Sequence, residues 1–254
     1  MEMQTKSSNP VLGRGTYNVS AEHVGYGPAM TISGTVNRAG ILLLLVLATA
    51  IWSWDRFYTT QDAASMGGLA MVGAFGGFIV AMVTIFKKEW APVTAPVYAL
   101  LEGLFIGSLS AVLEMRYPGI AIEAVALTFG TCLCMLLAYR TGLIRVTQRF
   151  ALGLVAATGG VALVYLASMM LSLFHVQIPG IFGSGPIGIV FSLVVCGIAA
   201  LNLVLDFNFI EEGARRGAPR FMEWYSAFGL MVTLVWLYIE ILNLLAKLRG
   251  GSRR

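Results

Sequence analysis

Seven apolar stretches constrain this chain more than any motif in it. A helix rises ~1.5 Å per residue, so a ~30 Å hydrocarbon core takes about 17–25 apolar residues to cross. Stretches of that order run over Ala39–Trp54, Ser65–Phe86, Val93–Leu113, Ile120–Tyr139, Phe150–Phe174, Pro186–Phe207 and Trp224–Leu248. The first is short but ends in Trp52 and Trp54, residues suited to the membrane interface. The second is rich in Gly and Ala, which lets helices approach closely. Pro92 and Pro186 fall where helices begin, and Pro118-Gly119 and Pro179-Gly180 mark turns. Because a spanning segment must satisfy its own backbone hydrogen bonds, the expected fold class is an all-α integral membrane protein with seven transmembrane helices. Charged residues are 12% of the 254 and hydrophobic residues 57%, whereas soluble domains average about 25% charged.

Residues 1–38 are polar and are expected to form a flexible tail without a cleavable signal peptide. The seven-helix domain is expected over 39–248, and a short basic tail over 249–254. The net charge of +4 sits mostly in loops, which is the pattern of topology determinants and argues against nucleic-acid binding. With the N-terminus inside, eleven Lys and Arg lie in inner segments, against Arg56 and Arg116 in the outer loops before the last span. The expected location is therefore the cell inner (plasma) membrane, with a cytoplasmic N-terminus. The basic C-terminal residues Lys247, Arg249, Arg253 and Arg254 break this rule: seven full spans place them outside, whereas a re-entrant last segment would return them.

Cys132, Cys134 and Cys196 all lie in apolar runs and read as small buried hydrophobes. His23 and His175 are too far apart in sequence to suggest a zinc site. No nucleotide-binding, nucleophile-elbow or zincin motif is present, so no enzyme and no resident cofactor is expected.

Candidate function rests on acids inside the spans, where an ionised carboxylate costs several kcal/mol and faces protein or a water path. Glu123 lies close to a span end and reads as structural. Glu102 sits in ALLEGLFIGSLS beside the small-xxx-small pair Gly103 and Gly107. Asp206 and Glu240 are the leading candidates for ion gating, pH sensing and transient binding of a hard metal cation, with Glu102 a further candidate for gating and pH sensing. Two nearby carboxylates would share a proton, and would bind a hard cation when both ionise. Depth weighs against a simple pairing, because Asp206 falls near the inner end of the sixth span and Glu240 about 24 Å along the seventh. Glu223 is the rival partner by depth, and Arg215, Arg216 and Arg220 are possible charge partners for Asp206.

Several segments resemble the Bax inhibitor-1/YccA family (transmembrane Bax inhibitor motif-containing proteins) in its bacterial form. They are SNPVL, MTISGTVNRAG, ALLEGLFIGSLS, LTFGT with YRTGLIRVT, GPIGIVFSLVVCGIAALNLVLDFNFIEEG and LYIEILNLL. The resemblance covers roughly residues 9–249 and implies a central seventh helix wrapped by the other six. It also implies a pH-sensitive calcium leak latched by aspartates at the positions of Asp206 and Glu240, with glutamate at the second here. A longer loop than the family's is expected between them. The alternative it implies is a non-transporting membrane regulator that binds a membrane-bound AAA protease or another membrane partner in a stress response.

Overall fold

The structure, a computed structural model, describes residues 29–60, 63–174 and 180–251. The expected tail over residues 1–28, with His23, and also His175 and residues 252–254, lie outside the described residues. Among the described residues seven α-helices follow in order: α1 (Ile32–Thr60), α2 (Ala63–Phe86), α3 (Ala91–Arg116), α4 (Ile120–Arg140), α5 (Gln148–Leu173), α6 (Pro186–Arg215) and α7 (Met222–Gly251). All seven are long and apolar enough to cross a membrane.

Local chemistry sets the helix ends. Pro92 and Pro186 occupy the first turns of α3 and α6, where a missing N–H costs nothing. Thr147 caps α5 by accepting a hydrogen bond from Phe150 N at 3.2 Å. The Glu114 carboxylate at the end of α3 accepts from Gly119 N (2.5 Å) and Ala121 N (3.1 Å), capping α4 from the neighbouring helix. After α6 the chain reverses at Gly217, φ 66°, with Ala218 N bonded to Gly213 O and Gly217 N to Ala214 O. This is a Schellman closure, which uses the left-handed conformation that glycine adopts freely.

Two helices outrun their expected apolar spans. α1 begins at Ile32 rather than Ala39, so the last seven residues assigned to the tail are helical. α6 continues to Arg215, eight residues or ~12 Å beyond Phe207. Much of the charged segment expected as a loop is thus the last two turns of α6, and only 216–221 connect it to α7. Hydropathy ends where the membrane ends, but a helix continues as long as its own backbone bonds do.

The helices alternate direction, giving the bundle a near end, with the start of α1 and the α6–α7 turn, and a far end, with the α3–α4 turn and the end of α7. Hydrogen bonds tie both. At the near end Met30 N donates to Ala218 O at 2.7 Å. At the far end Arg249 donates to Pro118 O at 2.7 Å and pairs with Glu123 at 2.6 Å. α7 is therefore one continuous crossing, not a re-entrant segment. Every described basic residue of the inner set lies toward the near end.

α7 is the centre of the fold. It buries 61% of its most apolar window, against 17% each for α2 and α5, and packs on α1, α3, α4 and α6. α2 is packed on α3, and α5 on α6. The Gly103/Gly107 pair is set against α1: a methyl group at Gly103 would overlap Thr49 and the Val46 carbonyl, and one at Gly107 would overlap Ser53 and Ala50. Gly73 of α2 meets the α3 backbone at Leu101 and Phe105 in the same way. Large apolar side chains such as Leu44, Phe75, Ile122 and Leu163 point outward, the expected surface of a bilayer-embedded bundle.

Candidate functional site

Glu102, Asp206, Glu223 and Glu240 are all buried, and each lies in a different place. Glu223, in the first turn of α7, is 3% exposed. It accepts from Thr31 N and Thr31 Oγ1, both at 2.9 Å, and forms an ion pair with Arg38 of α1. Gly34 makes the room, since a Cβ there would collide with the Glu223 carboxylate. Arg38 also stacks over the Trp224 ring, 5.3 Å from its centroid. The entry to α1 is thereby clasped onto the α6–α7 turn.

Asp206 is fully buried in α6, within electrostatic reach of Cys132 on α4. One turn before it, buried Asn202 donates to Thr158 Oγ1 of α5 at 2.9 Å and to Ile198 O at 2.8 Å. The arginines expected to neutralise Asp206 lie elsewhere. Arg215 pairs with Glu212, and Arg216 Nε reaches Glu212 Oε1 at 2.6 Å. Arg220 is exposed in the turn. All three sit at or beyond the end of α6, two and a half turns from Asp206.

Glu240 lies deep in α7. Tyr165 OH of α5 stands 2.8 and 2.9 Å from its two carboxylate oxygens, and Trp236 Nε1 donates at 3.1 Å from the preceding turn. Two turns farther on, Lys247 Nζ donates to Ser192 Oγ (2.8 Å), Ile181 O (3.1 Å) and Gly188 O (3.2 Å). It also lies 6.0 Å from the ring centroids of Phe182 and Phe191. The ammonium thus occupies a cradle of carbonyls, a hydroxyl and aromatic faces at the far end, within electrostatic reach of Glu240.

These contacts fix the register of the α6–α7 hairpin and answer whether Asp206 and Glu240 meet. Lys247 lies opposite Gly188 and Ser192, while Met222 begins α7 close to where Arg215 ends α6. By that register Glu240 lies level with about residue 197 and Asp206 level with about residue 231. The two carboxylates are some nine residues, or ~13 Å, apart along the hairpin. At that separation the two carboxylates do not meet in this arrangement, and among the described residues no group of three or more His, Cys, Asp or Glu is placed to hold a metal ion. Glu223 does not replace Glu240 as the partner of Asp206, because it lies ~12 Å nearer the near end by the same count.

Glu102 shares the depth of Asp206 but faces α2. It is hydrogen-bonded to Tyr98 one turn earlier, and a Cβ at Gly77 would lie 3.2 Å from its Oε2. Tyr98 in turn packs edge-on against Phe228 of α7, with centroids 4.9 Å apart.

Sequence reasoning missed Arg38, Tyr165, Trp236 and Lys247. Two of them carried a signal on their own helix: Trp236 and Lys247 lie four residues before and seven after Glu240, on one face. Arg38 and Tyr165 carried none, since only tertiary packing brings them to their acids.

The central helix α7 bears buried acids and has α1, α3, α4 and α6 packed directly on it. The chain matches the family described as Bax inhibitor 1 like over residues 4–250. It belongs to that family. No curated protein and no solved structure gives a significant match. This Bax inhibitor 1-like chain is thus a multi-pass helical membrane protein.

Proposed function

We propose that this protein is a pH-sensitive calcium (cation) leak of the inner membrane, with the near end in the cytoplasm. The path follows the α6–α7 hairpin at the centre of the bundle. The observation that carries the reading is the staggered series of buried acids along it, Glu223, Asp206 and Glu240, ending at the Lys247 ammonium. Hard cations favour carboxylate oxygens, and buried intramembrane acids mark ion pathways more often than they serve packing. Single carboxylates ~12–13 Å apart act as successive stations, in place of the two-acid latch expected from the sequence. Protonating a station removes the charge that attracts the cation, which couples flux to pH. In the conformation described, Arg38–Glu223 closes the near end and Lys247 the far end, so conduction requires both to move. The orientation rests on the concentration of Lys and Arg at the near end.

The closed ends also favour a second reading, a non-transporting regulator of a membrane-bound protease or another membrane partner. Calcium flux into proteoliposomes between about pH 6 and pH 8 separates them, with wild type, Asp206→Asn and Glu240→Gln compared. A pH-dependent leak altered independently by each substitution supports separate stations. Flux absent from wild type refutes the leak and leaves the regulator.

A further inference from the structure

One void in the bundle lies away from the acids. A cavity of about 530 Å³ opens between α1 and α4, floored by α3 and α7. That size is within the ~300–1,000 Å³ of ordinary small-molecule sites. Its lining is apolar except for three hydroxyls and the Trp54 indole N–H, and the hydroxyls already have partners. Thr128 Oγ1 donates to Ala124 O at 2.7 Å. Ser110 Oγ donates to Ile106 O at 2.6 Å, so its only hydrogen is used and Tyr238 OH, 2.6 Å away, donates to it. A buried water needs two to four polar partners, whereas the hydroxyl hydrogens here are already engaged and the wall is otherwise almost wholly apolar, so its natural content is apolar.

Position narrows the occupant. Along α1 the lining runs from Leu43 to Trp54, eleven residues or ~16 Å. Along α4 it starts at Ala121, beside the far-end turn, and reaches Phe129. The cavity therefore extends from the far-end interface to mid-depth, about half of a ~30 Å core, which is the depth of one leaflet. Its mouth is formed by Ile51 and Ile122, 67% and 75% exposed on the outer, bilayer-facing surface. The α1 wall is held in place by the glycine contacts of α3, where Gly107 lies against Ala50 and Ser53. An elongated, dry, one-leaflet-deep recess opening sideways into hydrocarbon suits a straight chain better than a compact solute.

We propose that this recess is a lipid site that takes one acyl chain of a phospholipid from the far-end leaflet. It presses on α7 at Leu234, Val235 and Tyr238, the segment just before Glu240, so the chain braces the central helix from the side opposite its α6 contacts.

The test is photo-crosslinking in phospholipid vesicles doped with phosphatidylglycerol that carries a diazirine midway along one acyl chain, with adducts mapped by peptide mass spectrometry. Adducts on residues 43–54 of α1 and 121–129 of α4 are expected in several-fold excess over equally exposed α5 positions such as Leu163 and Leu166. Val125→Trp, which fills the recess, should lower the groove adducts several-fold, while Leu163→Trp on the outer surface should leave them unchanged. The wild-type map stands without either variant, and helix content by circular dichroism reports whether each has folded. Labelling spread evenly over all exposed helices would mean annular lipid only and overturn the site. So would protein–protein adducts at the groove, which would mean that a second copy covers it.

Discussion

The Arg38–Glu223 clasp makes a quantitative claim about stability. Glu223 is 3% exposed and Arg38 16%, and the same carboxylate accepts two hydrogen bonds from Thr31. Removing one member of a buried pair costs about 3–5 kcal/mol, because the other charge is left stranded. Arg38 lies near an end of the bundle and keeps some water, which lowers its share. Glu223→Gln is thus expected to destabilise by roughly 2–3 kcal/mol. Arg38→Met should cost about 2 kcal/mol, since Thr31 still serves the carboxylate. The double variant has no stranded charge and should cost about 2–3 kcal/mol, not the sum, giving a coupling energy of roughly 1.5–2 kcal/mol. Reversible unfolding in bicelles by dodecyl sulfate, followed by circular dichroism, measures all four corners of the cycle. If the two single effects add to the double within about 0.5 kcal/mol, the two charges share no interaction and the clasp is refuted.

Two further outcomes follow from particular contacts. Gly103→Leu should destabilise by about 1–3 kcal/mol through overpacking against Val46 and Thr49, whereas Gly130→Ala, with open space around it, should be neutral or stabilising in the same unfolding assay. If Lys247 closes the far end, Lys247→Met should raise calcium flux in proteoliposomes several-fold while Lys247→Arg stays close to wild type; equal flux in all three would remove Lys247 from the path.

Element number and type were legible in the sequence for a simple reason. A fixed rise per residue and a fixed bilayer thickness turn apolar length directly into crossings. The Gly103/Gly107 pair was legible too, because close helix packing in a membrane needs small residues four apart, although nothing in the sequence named α1 as its partner. Depth was less so. Asp206 and Glu240 stand in similar apolar runs, but their levels depend on where each helix begins, and α6 continues eight residues beyond its apolar span. The resemblance carried two site positions but not the distance between them.

The chain by itself therefore determined seven crossings, the family and the set of acids that must be accommodated in the interior, since burial of a carboxylate is costly wherever the fold places it. Tertiary structure decided what surrounds each one. Thr31 reaches Glu223 across 192 residues and Tyr165 reaches Glu240 across 75. No local pattern records such pairings, because they arise from the rotation and vertical shift of one helix against another. Those two quantities are set by the packing of every side chain in the bundle together.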